Sequence, residues 1–278
     1  MIFFKHLILA LCSLLLFTPM LDAQAQEENK DPIEITAAGF LKWDREQKIF
    51  VAEKDALAVR DTTKIQADTL KAFYREPEGG DTEIFKFEAS GNVRITVNNG
   101  EQKVFGDKAI YNLDKEHAII TGNDLKLITE EQVVTAKKSL EYDVNKKEMK
   151  AVGSAKAVQD DDSLESETII ARLRTNSAGD DEIYKLEAIK NVVIKTPTET
   201  AKGQKGVYDL DSDTAELTGG VTILRGPNTL LGERALVDLN TNISTLYGGE
   251  KSPSGNGRVR AVFFPDSLDN DDESGDTP

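Results

Sequence analysis

Few residues in this chain have the types and spacing that catalysis needs. Two histidines occur, His6 near the start and His117 at the exit of a polar turn, Asp114-Lys115-Glu116. Asp211-Ser212-Asp213 and Asp160-Asp161-Asp162 could suggest calcium, but the first sits in a turn and the second in a loop, and the EF-hand spacing is missing. Both read as solvated turns. No Gly-x-Ser-x-Gly elbow and no zinc-ligand spacing appears. Hydrolysis or lyase chemistry on a polysaccharide would need a positioned acid and base or a metal. The chain is therefore expected to be no enzyme and to carry no metal and no cofactor.

What recurs instead is a structural unit. Gly106–Gly122 (GDKAIYNLDKEHAIITG) reads as strand, turn, strand. It returns as Gly203–Gly219 (GQKGVYDLDSDTAELTG), with eight of seventeen positions identical, and more weakly as Gly232–Gly248 (GERALVDLNTNISTLYG). Flanking segments repeat too: Phe40–Asp44 onto Ser139–Asp143, Ile65–Arg75 onto Leu164–Arg174, and Phe85–Thr96 onto Tyr184–Lys195, each at an offset of 99. Self-similarity of this kind sets the architecture. It predicts an internal duplication over 32–134 and 135–231, with a partial third copy over 232–265.

Met1–Ala25 reads as a cleaved secretory signal. Lys5 and His6 form the basic start, Leu7–Phe17 the apolar run, and Ala23-Gln24-Ala25 the small-residue cut site. Cys12, the one cysteine, lies inside it, so the mature chain has no disulfide. A net charge of −15 makes nucleic acid a poor partner. Residues 266–278 are acidic without a single base and read as a disordered tail.

Apolar and polar residues alternate over strands of five to eight residues, broken by short polar turns. Gly91-Asn92 is one such break and Asn98-Asn99-Gly100 another. Turns this short suit antiparallel hairpins and not parallel crossovers. The fold class is mainly β: antiparallel strands stacked side by side, one face of each inward. Trp43, Tyr111, Tyr142, Tyr208 and Val237 fall at one place in each unit, and core packing is the ordinary reason for such a pattern. A stack also leaves unpaired edge strands at its two ends, which invite pairing with another protein or another copy.

The segments PIEITAAGFLKWDREQKIFVAEKDALAV, GDKAIYNLDKEHAIITG, NVVIKTPTETAKGQKGVYDLDSDTAELTGGVTI and GRVRAVFFP closely resemble the OstA-like family of periplasmic lipopolysaccharide transport proteins. The resemblance spans about 31–265. It implies a twisted, open β-jellyroll that holds lipid A acyl chains in its interior. It implies edge-to-edge pairing with related domains of inner-membrane and outer-membrane partners, and head to tail with itself. Under that reading the groove is lined by Phe87, Ile95, Tyr111, Ile120, Tyr142, Leu186, Ile194, Tyr208 and Leu217. The rival reading is a secreted β-repeat scaffold or adhesin that polymerises without lipid and has a closed core.

Overall fold

A computed structural model of the chain describes residues 32–264, except 78–81, 178, 180 and 242. The expected signal sequence and acidic tail lie outside the described residues. What is described is almost entirely strand. All pairing is antiparallel: β1 (Glu34–Thr36) and β2 (Phe40–Asp44) both pair with β3 (Ile49–Arg60), and the ladder continues strand to strand through β4 (Thr63–Arg75), β5 (Glu83–Val97) and β6 (Gln102–Asn112). The middle of the stack is β7 (His117–Thr121), β8 (Leu125–Ile128), β9 (Val133–Ala136) and β10 (Ser139–Asp143). Then come β11 (Glu148–Gln159), β12 (Asp162–Thr175), β13 (Asp181–Lys195), β14 (Glu199–Asp209), β15 (Thr214–Arg225), β16 (Asn228–Asp238), β17 (Ile243–Tyr247) and β18 (Arg260–Val262).

The long strands run to 11–15 residues, about twice the length expected from the sequence. The reason is the bulge. Pairing shifts register in mid-strand, as between Glu53 and Ala56, Ser90 and Val93, Val152 and Ala155, Ile189 and Val192, and Thr218 and Val221. The skipped residues take positive φ: Lys54 and Asp55, Gly91 and Asn92, Gly153 and Ser154, Lys190 and Asn191, Gly219 and Gly220. Gly91-Asn92 is therefore a kink within β5 and not the end of a strand. A bulge bends the strand and sharpens its twist without ending the ladder, and glycine and asparagine adopt the left-handed conformation at low cost.

The bulges line up into a crease, and the sheet folds along it into two walls. Four rungs replace the bulge with a break: β1 with β2 on β3, β7 with β8 on β6, β9 with β10 on β11, and β17 with β18 on β16. Small or fully enclosed residues fill the crease, including Ala56, Val93, Ala155, Val192 and Val221, all at most 2 % exposed. The glycine that opens each repeat faces one of these valines: Gly106 pairs with Val93, Gly203 with Val192, Gly232 with Val221. A Cβ on Gly203 would lie 2.8 Å from Leu217, and one on Gly232 2.8 Å from Leu246. Those glycines are fixed by the close approach of the walls.

Five of the turns are capped alike. The side-chain oxygen of Asp44, Asn112, Asp143, Asp209 and Asp238 accepts from the backbone N–H three residues on, at 2.9–3.0 Å. This Asx turn is the local reason these residue types recur where the chain reverses. An exposed ion-pair clamp is repeated as well. Arg75 holds Glu83 and Asp114, and Arg174 holds Glu182 and Asp211.

Candidate functional site

Strand geometry alone decides what faces the inside of the crease, because successive side chains alternate between faces. Following register from strand to strand gives three rows of inward positions. The row nearest the capped turns begins Trp43, Phe50, Ala72, Phe87, Tyr111, Ala118. It continues through Tyr142, Met149, Ala171, Leu186, Tyr208, Ala215, Val237 and Ser244. Thirteen of these are apolar or aromatic, and Ser244 stands at the last rung. The row one residue over, on the outer face, reads Asp143, Glu148, Arg172, Lys185, Asp209. There Arg172 bridges Glu148 at 2.8 Å and Glu187 at 2.6 Å.

Beside the crease, the second row includes Leu70, Ile120, Leu140, Ile169 and Leu217, separated by Ala or Gly positions such as Ala89, Ala151 and Gly206. Across the crease, the third row runs Ile95, Val104, Leu127, Val134, Ala157, Leu164, Ile194, Ala201, Ile223. Alternation of bulky and small residues lets the walls interdigitate in places and stand apart in others.

Where they stand apart there are cavities in line. One of about 450 Å³ lies at the β1–β2 end, against Leu41, Trp43, Phe50, Leu70, Ala72 and Phe87. A second, about 180 Å³, is central, against Ile95, Val104, Ile120, Leu127, Tyr142 and Met149. A third, about 80 Å³, lies among Leu164, Leu186, Ile194, Tyr208, Leu217 and Ile223. Ala157 and Ile169 border both the second and third.

All nine groove residues expected from the sequence take inward positions. Phe87, Tyr111, Tyr142, Leu186 and Tyr208 share the first row, Ile120 and Leu217 the second, and Ile95 and Ile194 the third. Eight line one of the cavities; Tyr111 sits between the first and second. The sequence reading missed Phe50, Met149 and the alanines between the tyrosines. Counting alternate residues away from each tyrosine and across each turn would have found them.

Polar groups inside this lining are few and specific. Trp43 Nε1 donates to the Tyr74 hydroxyl at 2.8 Å, within an aromatic group in which Trp43 and Phe50 lie 5.3 Å apart. The Tyr208 hydroxyl donates to Asp213 Oδ1 at 2.6 Å. Asp213 is buried, a correction to its reading as a solvated turn residue: it is drawn inward to satisfy the phenol. Asp162 is corrected too, since it is buried and begins β12. Burial, together with Asp181, Tyr111 and Glu116, pushes the Tyr142 phenol up. Burial and Glu116 do the same to Tyr111, opposed by Arg60. Both phenols stay protonated at physiological pH. Among the described residues no group of three or more His, Cys, Asp or Glu could hold a metal ion.

The two open edges complete the site. Most of the large apolar residues left exposed lie there: Phe40, Leu41 and Trp43 on β2, Ile243 and Tyr247 on β17, and Val259, Phe263 and Phe264 around β18. Arg45 stacks on Trp43 at 4.3 Å. Unpaired strands of this sort offer a backbone ladder for a further strand.

A creased antiparallel sheet with an apolar interior from one edge to the other is a β-jellyroll open at both ends. The family model described as "LptA/(LptD N-terminal domain) LPS transport protein" matches twice, over 34–147 and 133–243, and the chain belongs to that family. Among solved structures, the chain is similar to LptH, "the LptA homologous periplasmic component of the conserved lipopolysaccharide transport device from Pseudomonas aeruginosa". Identity is 14%, coverage is 84% of this chain and 96% of that one, and the TM-score is 0.22. No curated protein sequence matches the chain.

Proposed function

We propose that this protein is a periplasmic carrier that binds lipopolysaccharide by its lipid A acyl chains and moves it between the inner and outer membranes. The observation that carries the reading is the set of three inward rows, apolar at almost every rung from the β1–β2 edge to the β17–β18 edge. An acyl chain gains about 0.8 kcal/mol for each methylene removed from water, so free diffusion of a multi-chain lipid is prohibitively slow. A trough that stays apolar along its length removes that barrier, because the chains never leave an apolar wall. The nine groove residues named above supply that wall.

In this reading the protein is no enzyme, and its work is binding and handover. It adds strand to strand at its two edges, with OstA-like domains of inner-membrane and outer-membrane partners and head to tail with further copies. The signal is removed after Ala25, and the duplication over 32–134 and 135–231 lengthens the trough carried by each subunit. Cavities along the interior support a lipid carrier over a scaffold with a filled core. Depleting the protein from its own cell tests the function. Newly made lipopolysaccharide should accumulate at the inner membrane; unimpeded delivery to the outer membrane would contradict the reading.

A further inference from the structure

The duplication places an internal comparison inside the trough. Position 43 maps onto 142 and position 74 onto 173 at the same offset of 99. In the first copy, Trp43 Nε1 donates to the Tyr74 hydroxyl at 2.8 Å. In the second copy, the aromatic is Tyr142, and the residue standing where its polar partner should be is Leu173. The Tyr142 hydroxyl is buried and has no hydrogen-bond partner. Gln159 Oε1 and Glu233 Oε2 are also buried without partners, but of the three residues only Tyr142 belongs to the lining of the central cavity. The next tyrosine along the row, Tyr208, is satisfied by Asp213.

Resting on the lipid reading above, we propose that Tyr142 is a specificity-determining hydrogen-bond donor that reads an uncharged oxygen carried on an acyl chain lying in the trough. A protonated phenol buried in the wall of an apolar cavity without a partner needs an acceptor. That acceptor is uncharged, because burial is the chief influence on this phenol, with Asp181 and Glu116 adding to it, and burying an anion there would be costly. Ala118 and Met149, its cross-strand neighbours, are apolar, so the oxygen must arrive on a chain that is itself apolar. A chain hydroxyl and an ester carbonyl share this chemistry.

The test is displacement of a fluorescent apolar probe from the full chain by tetradecane, methyl myristate or methyl hydroxymyristate. Wild type should bind an oxygenated chain about fivefold tighter than the hydrocarbon, and the two esters tell carbonyl from hydroxyl. Tyr142→Phe should lose that preference, binding the oxygenated chains no tighter than tetradecane. Leu173→Tyr, which offers the phenol an internal partner, should weaken the preference. An unchanged preference in Tyr142→Phe, even with altered thermal stability, overturns the proposal and leaves the trough standing. Failure of all three chains to displace the probe from wild type overturns the lipid reading and this proposal together.

Discussion

Tyr208 and Tyr142 occupy the same inward row, and their hydroxyls meet opposite fates. Tyr208 donates to the buried carboxylate of Asp213 at 2.6 Å; Tyr142 has no partner. A hydrogen bond to a charged acceptor contributes about 1.5–3 kcal/mol, and an orphaned buried group costs about 1–3 kcal/mol. Tyr208→Phe should therefore destabilise the protein by about 2 kcal/mol. Tyr142→Phe should be neutral or stabilising. Denaturant melts of both variants check the pair, and equal losses would refute it. The tyrosines were legible in the sequence because they recur once per repeat. Their partners were not, since an Asp-Ser-Asp run looks like any solvated turn until a phenol is known to reach it.

Elements were half legible. Strand, turn and strand could be read from alternation and from the Asp or Asn at each reversal, yet strand length was underestimated. A Gly-Asn pair marks a turn and a bulge alike, and only pairing on both sides tells them apart. Two predictions belong at this scale. The first concerns the crease: Gly203→Ala puts a Cβ 2.8 Å from Leu217 and should cost about 1–3 kcal/mol by overpacking. Adding Leu217→Ala should recover part of that loss in a double-mutant cycle; strictly additive losses would refute the close-approach account. The second concerns the caps. Lys42 and the Gln47 N–H hold Asp44 below the usual carboxylate range, Lys146 does so for Asp143, and the Ser212 N–H does so for Asp209. A depressed folded pKa gives stability that is present above the unfolded value, about 3.9, and lost as pH falls through the folded one. Melting temperature should thus decline below about pH 4. Asp44→Asn, Asp143→Asn and Asp209→Asn combined should flatten that decline, as Asn112 makes the same cap without a charge. An equally steep acid limb in the triple variant would rule the caps out as its source.

At the scale of the molecule, duplication and stacking set both the length of the trough and the nature of its ends. The sequence showed that there would be edges and an apolar face. It could not show how far the walls stand apart, which depends on where bulky and small residues meet across the crease. Exposed apolar side chains concentrated on β2 and around β17–β18 fit edge-to-edge assembly. Phe40→Glu with Ile243→Glu, at exposed positions on the two edges, should weaken concentration-dependent self-association in sedimentation measurements while the monomer melts as before; unaltered association would place the contact elsewhere. The central claim, that acyl chains travel inside the crease, is tested most directly by photocrosslinking to lipopolysaccharide. A photoreactive residue would be placed singly at Phe87, Tyr142 and Tyr208, one for each cavity, and at the turn positions Lys115 and Ser212. Lipid adducts at the three inward positions and none at the two turns are the predicted result. Adducts at the turns, or none inside a folded and self-associating protein, would contradict it.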